Sequence, residues 1–197
     1  MSAYQNFLDF FSMYNKERLD GISESYFTEM TAEERDMAFD FLLARVKSGG
    51  SEESVKGLFR ANRARAVEPV KRMLTEGTLI GEAEISAAWN LYYIENDDSL
   101  LSIFVHFLGS PDPRLRAKAA YYVPPIFSDE LISGLQGMIR TETEQLPRIH
   151  AVDKLLECSG ISEETMDKNL YLRIFRDLHG EDLKKKEAVF KQLHRSN

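Results

Sequence analysis

The chain has 197 residues, of which 32 are Asp or Glu and 25 are Lys or Arg, so its formal net charge at pH 7 is −7. With 43% hydrophobic and 29% charged residues, the composition is that of a globular chain and excludes the collagen-like and intrinsically disordered classes. The acid excess lies entirely in the first half, because residues 1–100 hold 18 acids and 11 bases and residues 101–197 hold 14 of each.

Three features predict a cytoplasmic protein with no membrane partner. The first base is Lys16 and Asp9 interrupts the apolar stretch before it, which differs from the basic-then-apolar order of a secretory signal. The longest apolar-rich run, 99–113, is shorter than the about 20 residues that span a bilayer. The single cysteine, Cys158, has no partner for an intrachain disulfide, and its position near a helix end predicts a small buried residue.

Helical spacing of apolar residues, with almost no strand-like alternation, predicts an all-α fold. The first predicted helix covers about residues 3–18 and aligns Tyr4, Phe7, Leu8, Phe11 and Tyr14 on one face. A capping box from Thr31 to Glu34 predicts the start of the next helix, which the glycine pair at 49–50 ends. Ser51 then starts another helix, and the full phosphate-binding loop pattern is missing around it.

A repeat of 32 residues runs through the middle of the chain. Its most regular part is a small-small-x-x-large triplet, which is found at Ala87-Ala88-Leu91, Ala119-Ala120-Val123 and Ala151-Val152-Leu155, with Val55 and Phe59 in the same register one period earlier. A second apolar pattern precedes each triplet, at Val67-Val70-Leu74, Leu101-Phe104-Leu108 and Ile132-Leu135-Ile139. Each repeat is therefore predicted to be a pair of helices, and stacked pairs close one core.

Residues 108–123, LGSPDPRLRAKAAYYV, resemble a HEAT repeat, with Asp112 and Pro113 in the turn and Arg116 opening the second helix. The neighbouring units match only in part. Glu84 occupies the position equivalent to Arg116 one repeat earlier, and Lys56 occupies the position equivalent to Ala88. The resemblance covers residues 37–158. It implies a short right-handed α-α superhelix of the HEAT or armadillo type, formed as a single domain over 1–197, with capping helices at 1–30 and 162–197. A non-repeating helical bundle is the alternative.

Motifs of catalysis and metal binding are missing from the sequence. The four histidines, His106, His150, His179 and His194, are scattered, and neither a zinc-ligand spacing nor a nucleophile elbow occurs. Paired acids such as those at 33–34 and 163–164 fall at predicted helix starts or loops, where capping explains them. We therefore predict no catalytic residue, no metal and no cofactor, which makes an enzyme the less favoured interpretation.

One set of side chains is a candidate for partner binding. Helical rotation places Ile85, Trp89 and Tyr93 opposite the predicted core face, and the 32-residue period carries this ridge to Lys118, Tyr121, His150 and Asp153. In a HEAT-like stack the second helices line the concave surface, where large amphipathic side chains serve protein recognition. Packing of the same rings between repeats is the alternative.

Basic residues gather at 60–72 and at 184–186. Some HEAT-like proteins of this size act on alkylated DNA in a basic channel, so a DNA glycosylase or nucleic-acid binder is the alternative function. The net charge of −7 disfavours it, and local salt bridges explain the bases better.

The sequence thus predicts a non-catalytic protein-binding scaffold, with an immunity protein or an adaptor as examples. Its acidic first half, including Glu82 and Glu84, suits a basic protein partner. Self-assembly through the solenoid ends is a third possibility, and the sequence leaves the oligomeric state open.

Overall fold

The computed structural model describes residues 2–13 and 21–193. Within these ranges the chain forms twelve α-helices, one short 3₁₀ turn at Asp98–Leu100 and no strand, which confirms the all-α prediction. The helices are α1 (Ala3–Ser12), α2 (Ser25–Thr28), α3 (Ala32–Lys47), α4 (Glu52–Ala61), α5 (Arg63–Thr75), α6 (Glu82–Glu95), α7 (Leu101–Leu108), α8 (Pro113–Tyr122), α9 (Asp129–Thr141), α10 (Gln145–Cys158), α11 (Lys168–His179) and α12 (Leu183–Leu193).

The chain forms two compact units, of which unit 1 spans Met1–Asp97 and unit 2 spans Asp98–Asn197. The single domain over 1–197 and the end caps at 1–30 and 162–197 stay predictions. Among the helices described, none combines the length and the apolar content that a membrane span requires.

Local sequence signals set the helix starts where they were predicted. Thr31 accepts a hydrogen bond from the Glu34 amide, and the Glu34 carboxylate accepts one from the Thr31 amide, so the capping box is confirmed. Ser51 caps α4 through the Ser54 amide. Asp112 caps α8 ahead of Pro113, a residue that suits the first helical position because it has no amide hydrogen to satisfy.

The first helix is shorter than the predicted 3–18. It ends at Ser12, and the rest of that prediction, including Tyr14, lies outside the described residues. The side chains that α1 buries are Phe7 and Phe10. Phe7 makes edge-to-face contacts with Phe27 and Phe41, with ring centroids 5.6 Å apart in both cases, so this aromatic cluster attaches α1 to α2 and α3.

Unit 1 contains two helix pairs, α3 with α4 and α5 with α6, and α4 packs against α6. The predicted register of α5 is wrong by one residue at each end. The helix buries Ala66, Val70 and Met73, whereas Val67 and Leu74 are half-buried. The i, i+4, i+7 positions that begin at Ala66 face the neighbouring helices, and alanine gave too weak an apolar signal to mark that face.

Unit 2 repeats the same arrangement in a more regular form. The pairs are α7 with α8 and α9 with α10; first helix α7 contacts first helix α9, and second helix α8 contacts second helix α10. The last pair is reversed, because α11 packs on α10 and α12 on α9. Unit 2 therefore has two layers, α7–α9–α12 and α8–α10–α11.

The predicted triplets are the buried core of the second helices. Ala87, Ala88 and Leu91 in α6 have no exposed surface, and the equivalents in α10 and in α8 with its C-cap Val123 are at most 1% exposed. Val55 in α4 is likewise fully buried. Alanine at two successive positions lets neighbouring helices approach closely, which explains why these positions stay small while the third is large.

Two arginines 32 residues apart perform the same structural role in unit 2. Arg116 donates to the backbone carbonyls of Ser110 and Pro111 in its own turn, and it pairs with both carboxylate oxygens of Glu142, at 2.6 and 2.8 Å, in the next turn of the stack. Arg148 likewise donates to the Thr143 carbonyl in its own turn, between α9 and α10, and to Glu181 in the next turn, between α11 and α12. The 32-residue period is thus repeated in hydrogen bonds as well as in apolar packing.

Candidate functional site

Four of the predicted partner-binding residues lie on one surface of unit 2, the outward face of α8, α10 and α11, here called the α8–α10–α11 surface. Tyr121 on α8 is 58% exposed, and its ring packs edge-to-face on the His150 ring of α10, with centroids 5.3 Å apart. Lys118 and Asp153 both act electrostatically on His150. Lys118 and His150 are half-buried, whereas Asp153 is exposed.

Helix α11 adds three rings to this surface that the sequence pattern did not indicate. Tyr171 stacks on Phe175 at 6.1 Å, and Phe175 contacts the His179 imidazole at 4.3 Å. All three are half-buried, beside the fully buried residues Ile174 and Leu178. The i, i+4, i+8 spacing of the three rings was the available signal. It had no counterpart in the 32-residue repeat, so the prediction treated this segment only as a cap.

The two histidines of this surface are held neutral near pH 7. Burial lowers the pKa of His150, and nearby Lys154 and Lys118 lower it further, although the charge of Asp153 acts in the opposite direction. Burial likewise lowers the pKa of His179, again against the effect of Asp153. Asp153 therefore acts on two imidazoles that are uncharged near pH 7, His150 on its own helix and His179 on α11.

Unit 1 carries the other predicted partner-binding residues. The Trp89 and Tyr93 rings of α6 are 4.8 Å apart, with Trp89 half-buried and Tyr93 46% exposed. Arg63 of α5 donates to the Tyr93 carbonyl at 3.3 Å. Glu82 and Glu84, both half-buried, lie in the first turn of α6, where negative charge is favourable to the helix dipole.

Ile85 does not belong to the predicted ridge, because its side chain is completely buried. Helix α6 packs against both α4 and α5 and so buries a wide arc of its surface, which includes Ile85 as well as Ala88 one turn later. A rotation argument that assumes a single buried face fails for a helix with neighbours on two sides.

Most of the basic residues that suggested nucleic acid are engaged within the fold. Arg65 pairs with Asp36 and Asp40, and Lys71 pairs with Glu95 at 3.1 Å. Lys186, in the second basic cluster, is 3% exposed and donates to the Ile139 carbonyl at 2.7 Å. The interpretation of these bases as local salt-bridge partners is confirmed for Arg65 and Lys71.

The geometry of Cys158 and of the potential metal ligands does not support catalysis among the described residues. Cys158 is buried, as predicted, with its Sγ atom 3.4 Å from the Pro124 carbonyl oxygen, and burial raises the pKa of its thiol to about 11. A thiol with that pKa carries almost no nucleophilic thiolate at neutral pH. No group of three or more His, Cys, Asp or Glu side chains within 2–13 and 21–193 could hold a metal ion, and His194 lies outside these ranges.

The chain matches no protein-family model, no curated protein and no solved structure. Among the described residues, the α8–α10–α11 surface offers exposed or half-buried rings and exposed carboxylates, and its cysteine, Cys158, is not a reactive nucleophile.

Proposed function

We propose that this protein is a non-catalytic binding scaffold built of HEAT-like helix pairs, which captures a protein partner on the α8–α10–α11 surface. The HEAT-like assignment draws support from the stacking of like helices in unit 2. It also draws support from the matched roles of Arg116 and Arg148, which bond to their own turn and to the next at the same repeat position.

The observation that carries the binding role is the exposure of Tyr121. The Tyr121 ring is 58% exposed, and its edge-to-face contact with His150 restrains its orientation. Aromatic side chains that are large, rigid and amphipathic dominate the energetics of protein interfaces, because little conformational entropy is lost when they become buried.

The charge distribution favours a basic partner, as expected of an immunity protein for a cationic toxin or of an adaptor for a basic protein. The net charge of −7 steers a cationic protein toward the chain and raises the rate of encounter. Glu82 and Glu84 add to the acidic first half. Because Arg65 and Lys71 are already paired with acids, the alternative of a nucleic-acid binder has fewer cations available for phosphates.

Affinity capture from the native host under gentle conditions tests this proposal. We expect one stoichiometric protein with the wild-type chain, and Tyr121→Ala should weaken its binding by about tenfold or more, as loss of an interface anchor does. The control is Leu183→Ala, which removes a side chain of similar exposure (52%) from α12 in the other layer, and it should leave capture unchanged.

Two outcomes would contradict the proposal. Recovery of no stoichiometric protein, or equal recovery with Tyr121→Ala and wild type, removes the support for this surface. A shift of duplex or single-stranded DNA in a gel at low salt, lost as salt increases, would instead support the nucleic-acid alternative.

A further inference from the structure

Asp153 has a carboxylate without a counter-ion in a crowded part of unit 2. Neighbouring charges on α10 are paired, since Lys154 bonds to Glu157 at 2.6 Å and Arg148 bonds to Glu181. Asp153 is exposed and makes no hydrogen bond or ion pair with any residue in the described part of the chain. Its charge is therefore available to a ligand.

Aromatic rings border this carboxylate on two sides. On the α8 side lies the Tyr121–His150 pair, and His150 is one helical turn before Asp153 on α10. On the α11 side, the charge of Asp153 acts on both Tyr171 and His179. Those two residues are eight positions apart, or about 12 Å along a helix, and Phe175 lies between them in the α11 row, which packs on α10.

The charges around the site leave room for a cation. Lys118 and Lys154 act on His150, and Arg148 and Lys186 act on His179, so basic residues border the surface beside both histidines. On the far side, Lys186 donates to the Ile139 carbonyl, and Arg148 to Glu181 and to two backbone carbonyls. The imidazoles of His150 and His179 are neutral near pH 7, and a second exposed carboxylate, that of Glu163, acts on Tyr171 together with Asp153, so the charges that Tyr171 faces are both anionic.

We propose that Asp153 and the rings of Tyr121, Tyr171 and Phe175 form a site for an arginine side chain of the protein partner. This inference rests on the proposed binding function and specifies the chemistry of the partner. A guanidinium is planar, pairs with a carboxylate through two parallel hydrogen bonds and stacks on aromatic faces, whereas an ammonium is a compact point charge that does neither. A phosphate would be repelled by the same carboxylate.

The test uses three small probes on the full-length chain: N-acetyl-arginine amide, N-acetyl-lysine amide and the neutral isostere N-acetyl-citrulline amide. The readout is the ¹³C–¹H aromatic NMR spectrum, in which the tyrosine and phenylalanine rings of the site are observed directly. We expect the arginine probe to shift the Tyr121, Tyr171 and Phe175 signals, with a dissociation constant on the order of 1–10 mM. The lysine probe should bind at least about threefold more weakly, and the citrulline probe should cause no saturable shift.

Asp153→Asn should lower the affinity for the arginine probe by about fivefold or more, because the charge-assisted pair is lost. The matched control is Glu130→Gln, which removes the same charge from an exposed residue in the first turn of α9, in the other layer, and it should bind the probe as wild type does. Because Asp153 is exposed, its substitution should leave the fold intact, as unchanged circular dichroism and melting temperature would show.

Equal shifts with the citrulline probe, equal affinity for the lysine probe, or an Asp153→Asn variant that binds like wild type would each overturn the arginine site. Failure of this site is distinguishable from failure of the proposed function. If the chain still captures its partner through Tyr121 but does not bind the arginine probe, the arginine site is refuted and the scaffold function is not. A chain that captures no partner loses the scaffold function whatever the probe does.

Discussion

Replacing Arg116 by alanine should lower the free energy of unfolding by about 3–5 kcal/mol, because it leaves a buried carboxylate without its counter-ion. The Glu142 side chain is 1% exposed, and both of its oxygens accept from the Arg116 guanidinium. Urea denaturation at pH 7 measures the loss. The control is Arg114→Ala, two residues earlier on α8, whose side chain is 82% exposed and whose removal should barely change the midpoint.

The pH dependence separates charge from packing in this prediction. The Arg116 guanidinium holds the pKa of the Glu142 carboxyl below its usual range, so the pair stabilises the fold above the ordinary carboxyl pKa, and this contribution is lost as the pH falls through the lowered value. The difference between Arg116→Ala and wild type should therefore be largest at neutral pH and smaller in acid.

A second substitution tests the same pair. Adding Glu142→Gln to Arg116→Ala should recover part of the loss, because the amide oxygen can still accept from the Thr143 and Glu144 amides while the buried charge is gone. An Arg116→Ala variant as stable as Arg114→Ala would show that this pair does not hold the two turns together.

Phe104→Ala should destabilise the protein by about 3–5 kcal/mol, since it removes a large, fully buried ring from a first helix. Phe104 lies in the middle of α7, which packs on both α8 and α9, so the cavity weakens contacts within the pair and between pairs. The same truncation at Phe127, which is 44% exposed, is the control and should have an effect well below that of Phe104→Ala. Equal effects on thermal or urea unfolding would contradict the assignment of α7 to the core.

The repeat makes the core of the second helices predictable from sequence. Pairs of small residues, each beginning with alanine, recur at a constant interval, and close helix packing is what requires small residues at the same positions repeatedly. The period alone therefore indicates Ala119, Ala120 and Ala151 as core residues, and all three are fully buried. The helix starts at Thr31 and Ser51 are predictable for a different reason, because caps depend on side chains only a few residues away.

Features that depend on several neighbours at once were not predictable. Ile85 is buried because α6 packs against two helices, and the sequence of α6 alone does not show how many neighbours it has. The ion pairs of Arg65 with α3 join residues 25 and 29 positions apart, and a charge cluster in the sequence does not identify its partners. The α11 rings lie outside the repeat, so the period could not indicate where they face.

The central claim is that a protein partner covers the α8–α10–α11 surface, and hydroxyl-radical footprinting of the captured complex tests it most directly. We expect oxidative labelling of Tyr121, Tyr171 and Phe175 to fall when the partner is bound, while labelling of the exposed Leu183 on α12 stays unchanged. Unchanged labelling of the three rings, with protection at Leu183 instead, would place the partner on the other layer and contradict the account.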